Sequence, residues 1–308
     1  MSAPDFLDPR LTERRNPRTE RIDTASSLEI VDLMNAEDRT VPDVVAGARD
    51  VLARVIDLVV AAFAAGGRLV YVGAGTSGRL GVLDATECPP TFGTDPDLVV
   101  GVIAGGRAAL DQSQEGSEDR ADEGGAAMDA LGISQSDVVM GVAASGTTPF
   151  VRGALERAKE LGARTVFLTC SDPPQDLASA VDALVHLAVG PEVLTGSTRL
   201  KAGTATKLAL NTITTGAMIR SGKAFGNLMV DLMALSQKLH DRGERIVMEA
   251  CGVGRDEARA AIDAAGGSVK LAIVMVRRGV DAEEARVLLD QAGGSVRGAA
   301  GDPPPVVT

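Results

Sequence analysis

Short unbroken apolar runs alternate with amphipathic stretches through the middle of this chain. Residues 68–72, 98–103, 137–142, 165–169 and 183–189 read as strands. They are rich in Val, Leu and Ile and lack a polar face, the pattern of strands covered on both sides. Helical patterns lie between them at 78–86, 118–131 and 149–161. Strand and helix in alternation predict a parallel sheet with helices on both faces. The expected fold class is α/β, a doubly wound five-stranded parallel sheet with flanking helices. A long helix should precede the sheet. Val44, Ala48, Val51, Val55, Val59 and Phe63 recur every three or four residues, Pro42 suits a first turn, and Gly66-Gly67 stops the pattern.

The flanks differ. The first 40 residues are polar with little periodicity and predict an arm that packs on something else, such as a second subunit. Residues 197–240 carry two long helical patterns, and 244–300 are Ala-rich and helical. One sextet, Ala265-Gly-Gly-Ser-Val-Lys270, returns as Ala292-Gly-Gly-Ser-Val-Arg297; two copies are too few for a solenoid. The expected organisation is an arm over 1–40, the sheet domain with its flanking helices over 41–240, a small helical module over 241–300 and a Pro-rich, flexible tail over 301–308.

Composition narrows the function classes. Aromatic residues make up 2% of the 308 positions, with no Trp, which argues against a nucleic-acid reader built on stacking. The net charge of −11 repels phosphate backbones and anionic lipid, so a bound phosphate should be small and held locally. Cys88, Cys170 and Cys251 are widely spaced, and His186 and His240 are the only histidines; neither set has disulfide-framework or metal-ligand spacing. The charged N-terminus lacks a secretory apolar core, and the apolar stretch 55–65 is too short to span a membrane. The expectation is a cytoplasmic protein with no metal, no cofactor, no nucleic-acid partner and no membrane partner.

Ligands of open parallel sheets bind at the carboxyl ends of the strands. Two such ends are rich in Gly, Ser and Thr: Gly73-Ala-Gly-Thr-Ser-Gly-Arg79 after the first strand, and Ala144-Ser-Gly-Thr-Thr-Pro149 after the third. Glycine lets backbone approach a ligand, and hydroxyls with helix N-terminal N–H groups donate to an anion. Neither loop closes with the Gly-Lys-Ser/Thr of a Walker A motif. Gly73, Gly75 and Gly78 fit a dinucleotide fingerprint loosely, but the second strand runs into Ile103-Ala-Gly-Gly106 without the acidic residue that would hold a ribose. Either loop alone reads as well as an ordinary strand–helix turn. Two on neighbouring strand ends favour a site for one phosphate, formed by Gly75, Thr76, Ser77, Ser145, Gly146, Thr147 and Thr148.

Two carboxylates flank these loops. Pro89 disfavours helix at Cys88, which places Glu87 at or just past a helix C-terminus. The negative helix end would raise its pKa, suiting a proton donor. Ser117 is a plausible N-cap, which places Glu118 in a first turn, where the positive end favours an ionised base. Carboxylates in opposite environments let one site run acid and base steps. Read from spacing alone, each is more readily a solvated surface glutamate than a catalytic one, and Asp84, Glu115 and Asp119 are rivals that spacing does not exclude. Cys88 reads as a buried structural thiol, His186 as a packed, hydrogen-bonded core residue and His240 as a cation ending a helix. Lys201 and Lys207 read either as exposed bases at a helix start or as contacts that neutralise phosphate.

Six stretches, 12–17, 73–81, 84–91, 143–149, 190–205 and 226–231, resemble the N-acetylmuramic acid 6-phosphate etherase family, whose members contain a sugar isomerase (SIS) domain. The similarity runs from about residue 11 to 300 and includes the helical C-terminal module. The wider family includes the animal glucokinase regulatory protein, a binder rather than an enzyme. The resemblance implies that 41–240 is an SIS phosphosugar-binding domain. It implies a carbon–oxygen lyase that cleaves the D-lactyl ether, giving N-acetylglucosamine 6-phosphate and D-lactate in peptidoglycan recycling. The family's two glutamates fall on Glu87 and Glu118, and its phosphate loops on Thr76-Ser77 and Ser145–Thr148, with Lys201 an additional candidate contact. Ala143 and Ala144 stand where some SIS isomerases carry polar residues, leaving fewer hydroxyls. SIS domains pair, so a homodimer is implied. An aldose–ketose isomerase would need no acid for a leaving group, and a sugar-phosphate sensor would bind without turnover; the two-glutamate pattern favours the etherase.

Overall fold

The five apolar runs form one sheet. A computed structural model describes residue 8 and residues 10–112, 114–232 and 237–305. Strands β1 (Leu69–Gly73), β2 (Val99–Ile103), β3 (Val138–Val142), β4 (Arg164–Thr169) and β5 (Ala183–His186) lie in the order β2-β1-β3-β4-β5. All neighbours are parallel. β1 and β3 are buried along their whole length, as strands covered on both faces must be. The helices accompanying the sheet are α1 (Ser27–Asp38), α2 (Val41–Gly47), α3 (Arg49–Ala64), α4 (Gly75–Phe92), α5 (Ala108–Asp111), α6 (Ala121–Ala130), α7 (Pro149–Glu160), α8 (Gln175–Ala180) and α9 (Lys201–Arg220). The predicted 44–63 helix is interrupted at Ala48, whose φ of −89° and ψ of 9° end α2 and start α3.

The chain divides into two compact units, residues 1–86 with 96–214, and residues 87–95 with 215–308. The division therefore falls inside the 41–240 segment read from the pattern as one domain. In the first unit, Val70, Val72, Val139, Phe150, Ala154 and Phe167 share one buried cluster, in which α7 covers the sheet. In the second unit, a hairpin of β6 (Ala224–Phe225) and β7 (Leu228–Met229) stands where the pattern predicted continuing helix. Its two-residue Gly226-Asn227 turn is a standard hairpin connection. Helices α10 (Gln237–Cys251), α11 (Arg255–Ala264), α12 (Val269–Arg278), α13 (Ala282–Gln291) and α14 (Val296–Ala300) follow around a core that includes Val247, Ile262, Ile273 and Ala285. The repeated sextet is one inter-helix turn used twice. Gly266, Gly267, Gly293 and Gly294 all have positive φ, and Ser268 and Ser295 cap α12 and α14 by accepting from Leu271 N and Gly298 N. Of the tail, residues 306–308 lie outside the described residues, as do 1–7 and 9 of the arm. No helix among the described residues is long and apolar enough to cross a membrane.

The arm packs on its own chain rather than only on a neighbour. Thr12, Asn16 and Thr19 are buried. Thr19 Oγ1 donates to Val193 O at 2.8 Å, Asn16 Nδ2 donates to Pro191 O at 3.3 Å, and Gly196 N donates to Thr12 O at 3.0 Å. The arm also contains α1, which the pattern missed, opened by a Ser26/Glu29 capping box. The one buried residue of α1 is charged: Glu37 accepts from Arg18 and, at 2.7 Å, from Lys201 Nζ. The Arg18 guanidinium, helped by the Lys201 ammonium, holds the Glu37 carboxyl down to about 2. Beside this pair the fully buried Glu192 accepts from Lys201 N and Ala202 N, both at 2.9 Å, and so caps α9. Burial pushes its carboxyl up, against the pull of those N–H groups.

Lys201→Met removes the buried ammonium that shares Glu37 with Arg18 and should cost about 3–5 kcal/mol, measured by urea unfolding at neutral pH. Because the folded-state pKa of Glu37 is depressed, its contribution is present above the ordinary value of 4.5 and is lost as pH falls from there toward about 2. Glu37→Gln should flatten the decline of stability over that window.

Candidate active site

Three loops leave the carboxyl ends of neighbouring strands. Gly73, which ends β1, is in register with Ile103 of β2 and Val142 of β3, so the loops that follow start side by side. The middle one is the tightest. A Cβ on Gly73 would lie 2.6 Å from Gly78 N, and one on Gly78 would lie 2.8 Å from Gly73 O. Only glycine at both positions permits this turn. It lets α4 begin at Gly75, three residues before the predicted start. Gly75 has φ +52° and open space around it. Thr76 and Ser77, both half-buried, occupy the first turn of α4, where N–H groups lack intrahelical partners. Together they form the donor set expected for a small anion.

On the β3 side, Gly146 has φ +83° and its N–H closes a turn on Ala143 O at 3.0 Å. Ser145 Oγ and Thr147 Oγ1 lie 3.4 Å apart. Thr148 occupies the N-cap of α7, yet its side chain makes no capping bond. Pro149 has no N–H, and the Phe150 and Val151 N–H groups have no protein acceptor among the described residues.

On the β2 side, a pocket of about 210 Å³ is lined by Gly75, Arg79, Gln114, Glu115, Ser117 and Glu118, with Ala74, Ala104, Ala109 and Gly116 completing the wall. The helix expected from Glu118 starts later, at Ala121. Gly116, with φ 73°, rather than Ser117, precedes a single 3-10 turn over Ser117–Asp119. This turn holds the exposed Glu118 beside Gly75. Of its rivals, Glu115 lines the same pocket and Asp119 does not.

Glu87 is placed differently from the expectation. α4 continues through Pro89 and Pro90 to Phe92, so Glu87 lies more than a turn inside the helix, beyond the reach of its terminal dipole. It is exposed and does not line the Glu118 pocket. Glu87 lies twelve residues along α4 from Gly75. Lys201 also departs from the expectation. It is fully buried and paired with Glu37, not an exposed base. The start of α9 does pass the middle loop, since a Cβ on Gly203 would lie 3.7 Å from Thr76 Cγ2.

Asp84 is structural. It accepts from Tyr71 OH at 3.0 Å, Asn211 Nδ2 at 2.6 Å and Thr214 Oγ1 at 3.2 Å, tying α4 to β1 and α9. Burial pushes its carboxyl up. Cys88 is buried, as expected. His186 is half-exposed, 3.7 Å from Asp172, and its Nε2 has no hydrogen-bond partner among the described residues, so it is not a satisfied core histidine. His240 lies in the first turn of α10 rather than at a helix end.

The sequence reading assigned Arg79 no role. One turn beyond Gly75 on α4, it reaches the pocket wall, and its Nε donates to Leu110 O at 3.1 Å. The i, i+4 spacing from Gly75 placed both on one helix face, but only convergence with the 110–118 segment marks it as part of the pocket.

Known proteins are similar to this chain in sequence. The model of the glucokinase regulatory protein N-terminal SIS domain matches residues 51–159. The N-acetylmuramic acid 6-phosphate etherase of Trichodesmium erythraeum is 51% identical over 265 residues, covering 86% of each chain. That of Crocosphaera subtropica is 51% identical over 265 residues, 86% of this chain and 87% of its own. N-acetylmuramic acid 6-phosphate etherase 2 of Vibrio parahaemolyticus is 51% identical over 265 residues, 86% of this chain and 88% of its own.

Proposed function

Because the chain belongs to the N-acetylmuramic acid 6-phosphate etherase family, we propose that it cleaves the D-lactyl ether of N-acetylmuramic acid 6-phosphate by elimination and hydration. The protein is an enzyme acting on a phosphosugar; the chemistry of the substrate favours a lyase route. The observation that carries it is the pocket on the β2 side, where Glu118 lies beside Gly75 at the start of α4.

The hydroxyls and N–H groups of Thr76 and Ser77, with those of 145–148, hold the C6 phosphate. This fixes the open-chain sugar far from the bond that breaks, so its binding energy serves orientation. The C2 hydrogen is acidic because it is α to the C1 aldehyde. Glu118 takes this proton. The C3–O bond then breaks, and the electron pair left at C2 becomes the C2–C3 double bond. Glu87 gives a proton to the departing lactyl oxygen. Water adds at C3 of the unsaturated aldehyde, losing a proton to Glu87, and Glu118 returns its proton to C2. The net change is ether plus water to alcohol plus D-lactate, with both carboxyl groups restored.

Among the described residues Glu87 does not line the Glu118 pocket, so the reading includes a homodimer in which Glu87 of one copy meets Glu118 of the other.

Incubation with N-acetylmuramic acid 6-phosphate and an assay for D-lactate tests the function. A ketose product, or binding without lactate release, would overturn it. Ser145→Ala should raise KM by about 10-fold, the scale of one charge-assisted hydrogen bond, with little change in kcat; an unchanged KM would remove that loop from the phosphate site.

A further inference from the structure

We infer that Arg79 selects the substrate by binding the carboxylate of its lactyl group. The inference rests on the etherase reading, in which the substrate carries two anions, a phosphate on C6 and a carboxylate on the ether at C3.

Among the described residues, Arg79 is the only cationic side chain in the wall of the Glu118 pocket. Its Nε is used by Leu110 O of α5, a bond that fixes the plane of the guanidinium. Its terminal nitrogens have no acceptor among the described residues, and neither Glu115 nor Glu118 forms an ion pair with it. Half-buried and already oriented, the guanidinium keeps a free pair of donors that matches a carboxylate in bidentate fashion. Two glutamates share that wall, and like charges repel an incoming anion. A carboxylate enters such a pocket only against a cation, and Arg79 supplies it.

The order of the strands decides which anion this is. The Glu118 loop follows β2 and the Ser145 loop follows β3, on opposite flanks of the β1 loop. Strands two places apart are separated by about 10 Å. If Glu118 faces C2, the neighbouring C3 ether and its carboxylate fall on the β2 flank. The C6 phosphate, at the other end of the open chain, falls toward the hydroxyls of 145–148. A pocket of about 210 Å³ is too small for a whole ligand of this size and suits one substituent.

The test compares ligands that keep the phosphate and differ in the lactyl group or in its carboxylate alone. N-acetylglucosamine 6-phosphate has the phosphate and lacks the lactyl group. Arg79→Gln should weaken N-acetylmuramic acid 6-phosphate by about 10- to 100-fold and N-acetylglucosamine 6-phosphate by less than about threefold. Arg79→Lys, which keeps the charge without the fork, should lie between. The substrate's lactyl carboxamide should bind the wild-type protein with the loss seen for Arg79→Gln, and the variant should add less than about twofold to it. This arm reads the wild-type chain and so survives a variant that folds poorly. Equal losses for both sugars would assign Arg79 to the phosphate and overturn the inference. Unchanged binding of both sugars would do the same, as would additive losses with the carboxamide. A wild-type protein that releases no D-lactate would instead bring down the etherase reading and this inference with it. Lactate release by the wild type alongside equal losses in Arg79→Gln would bring down the inference alone.

Discussion

Glu118→Gln should stop exchange of the substrate's C2 hydrogen with solvent deuterium and lower D-lactate release by about 10²–10⁴-fold. The amide keeps the size of the side chain and removes its basic oxygen. Glu118 is exposed in a single 3-10 turn, and surface replacements of this kind leave stability within about 0.5 kcal/mol. Phosphosugar binding should therefore stay within several-fold, because the hydroxyl loops lie on the other side of Gly75. Glu115 lines the same pocket and is the natural control: Glu115→Gln should keep the exchange. If Glu118→Gln exchanges at the wild-type rate, Glu118 is not the base.

Glu87→Gln should separate the two steps. C2 exchange continues, because the base is intact, while D-lactate release falls by about 10²–10⁴-fold for want of a proton on the leaving oxygen. Loss of exchange together with release would deny Glu87 the role of acid. The same variant tests the shared site. Mixed with Glu118→Gln and allowed to reassort, it should form, on the shared-site reading, dimers in which one site contains both native glutamates. About a quarter of wild-type sites should return by random pairing. If each site were built within one chain, no mixed dimer would regain activity.

The sheet was legible because burial on both faces leaves no room for polar residues. β1, β3 and β4 begin and end within one residue of the apolar runs that announced them. The loops at their ends were legible for a related reason: Gly73 and Gly78 approach so closely that no other residue fits. The missed elements depend on charges or on distant partners. α1 buries a single residue, Glu37, against Lys201, so it has no apolar stripe to read. α4 passes through Pro89 and Pro90, where local chemistry predicts a stop; Asp84, gripped by Tyr71, Asn211 and Thr214, anchors the turn before them. The hairpin after α9 had a signal, Gly226-Asn227, outweighed by the helical pattern around it. Lys201 read as either an exposed base or a phosphate contact because only the fold reveals its carboxylate partner across the arm. Arg79 stood in plain view, but its surroundings come from a segment some thirty positions away, and spacing along one helix says nothing of those.

The opening of α7 has a consequence for how affinity is stored. Thr148 caps nothing, and the amides of Phe150 and Val151 find no acceptor among the described residues. An unsatisfied helix end is a standing instability, tolerated in a native fold where function requires it. On the phosphate-site reading, an anion seated there would complete the helix, and part of its grip would be relief of that deficit. Evolution toward a sturdier α7, by a hydroxyl or carboxylate that capped it internally, would blunt recognition of the sugar.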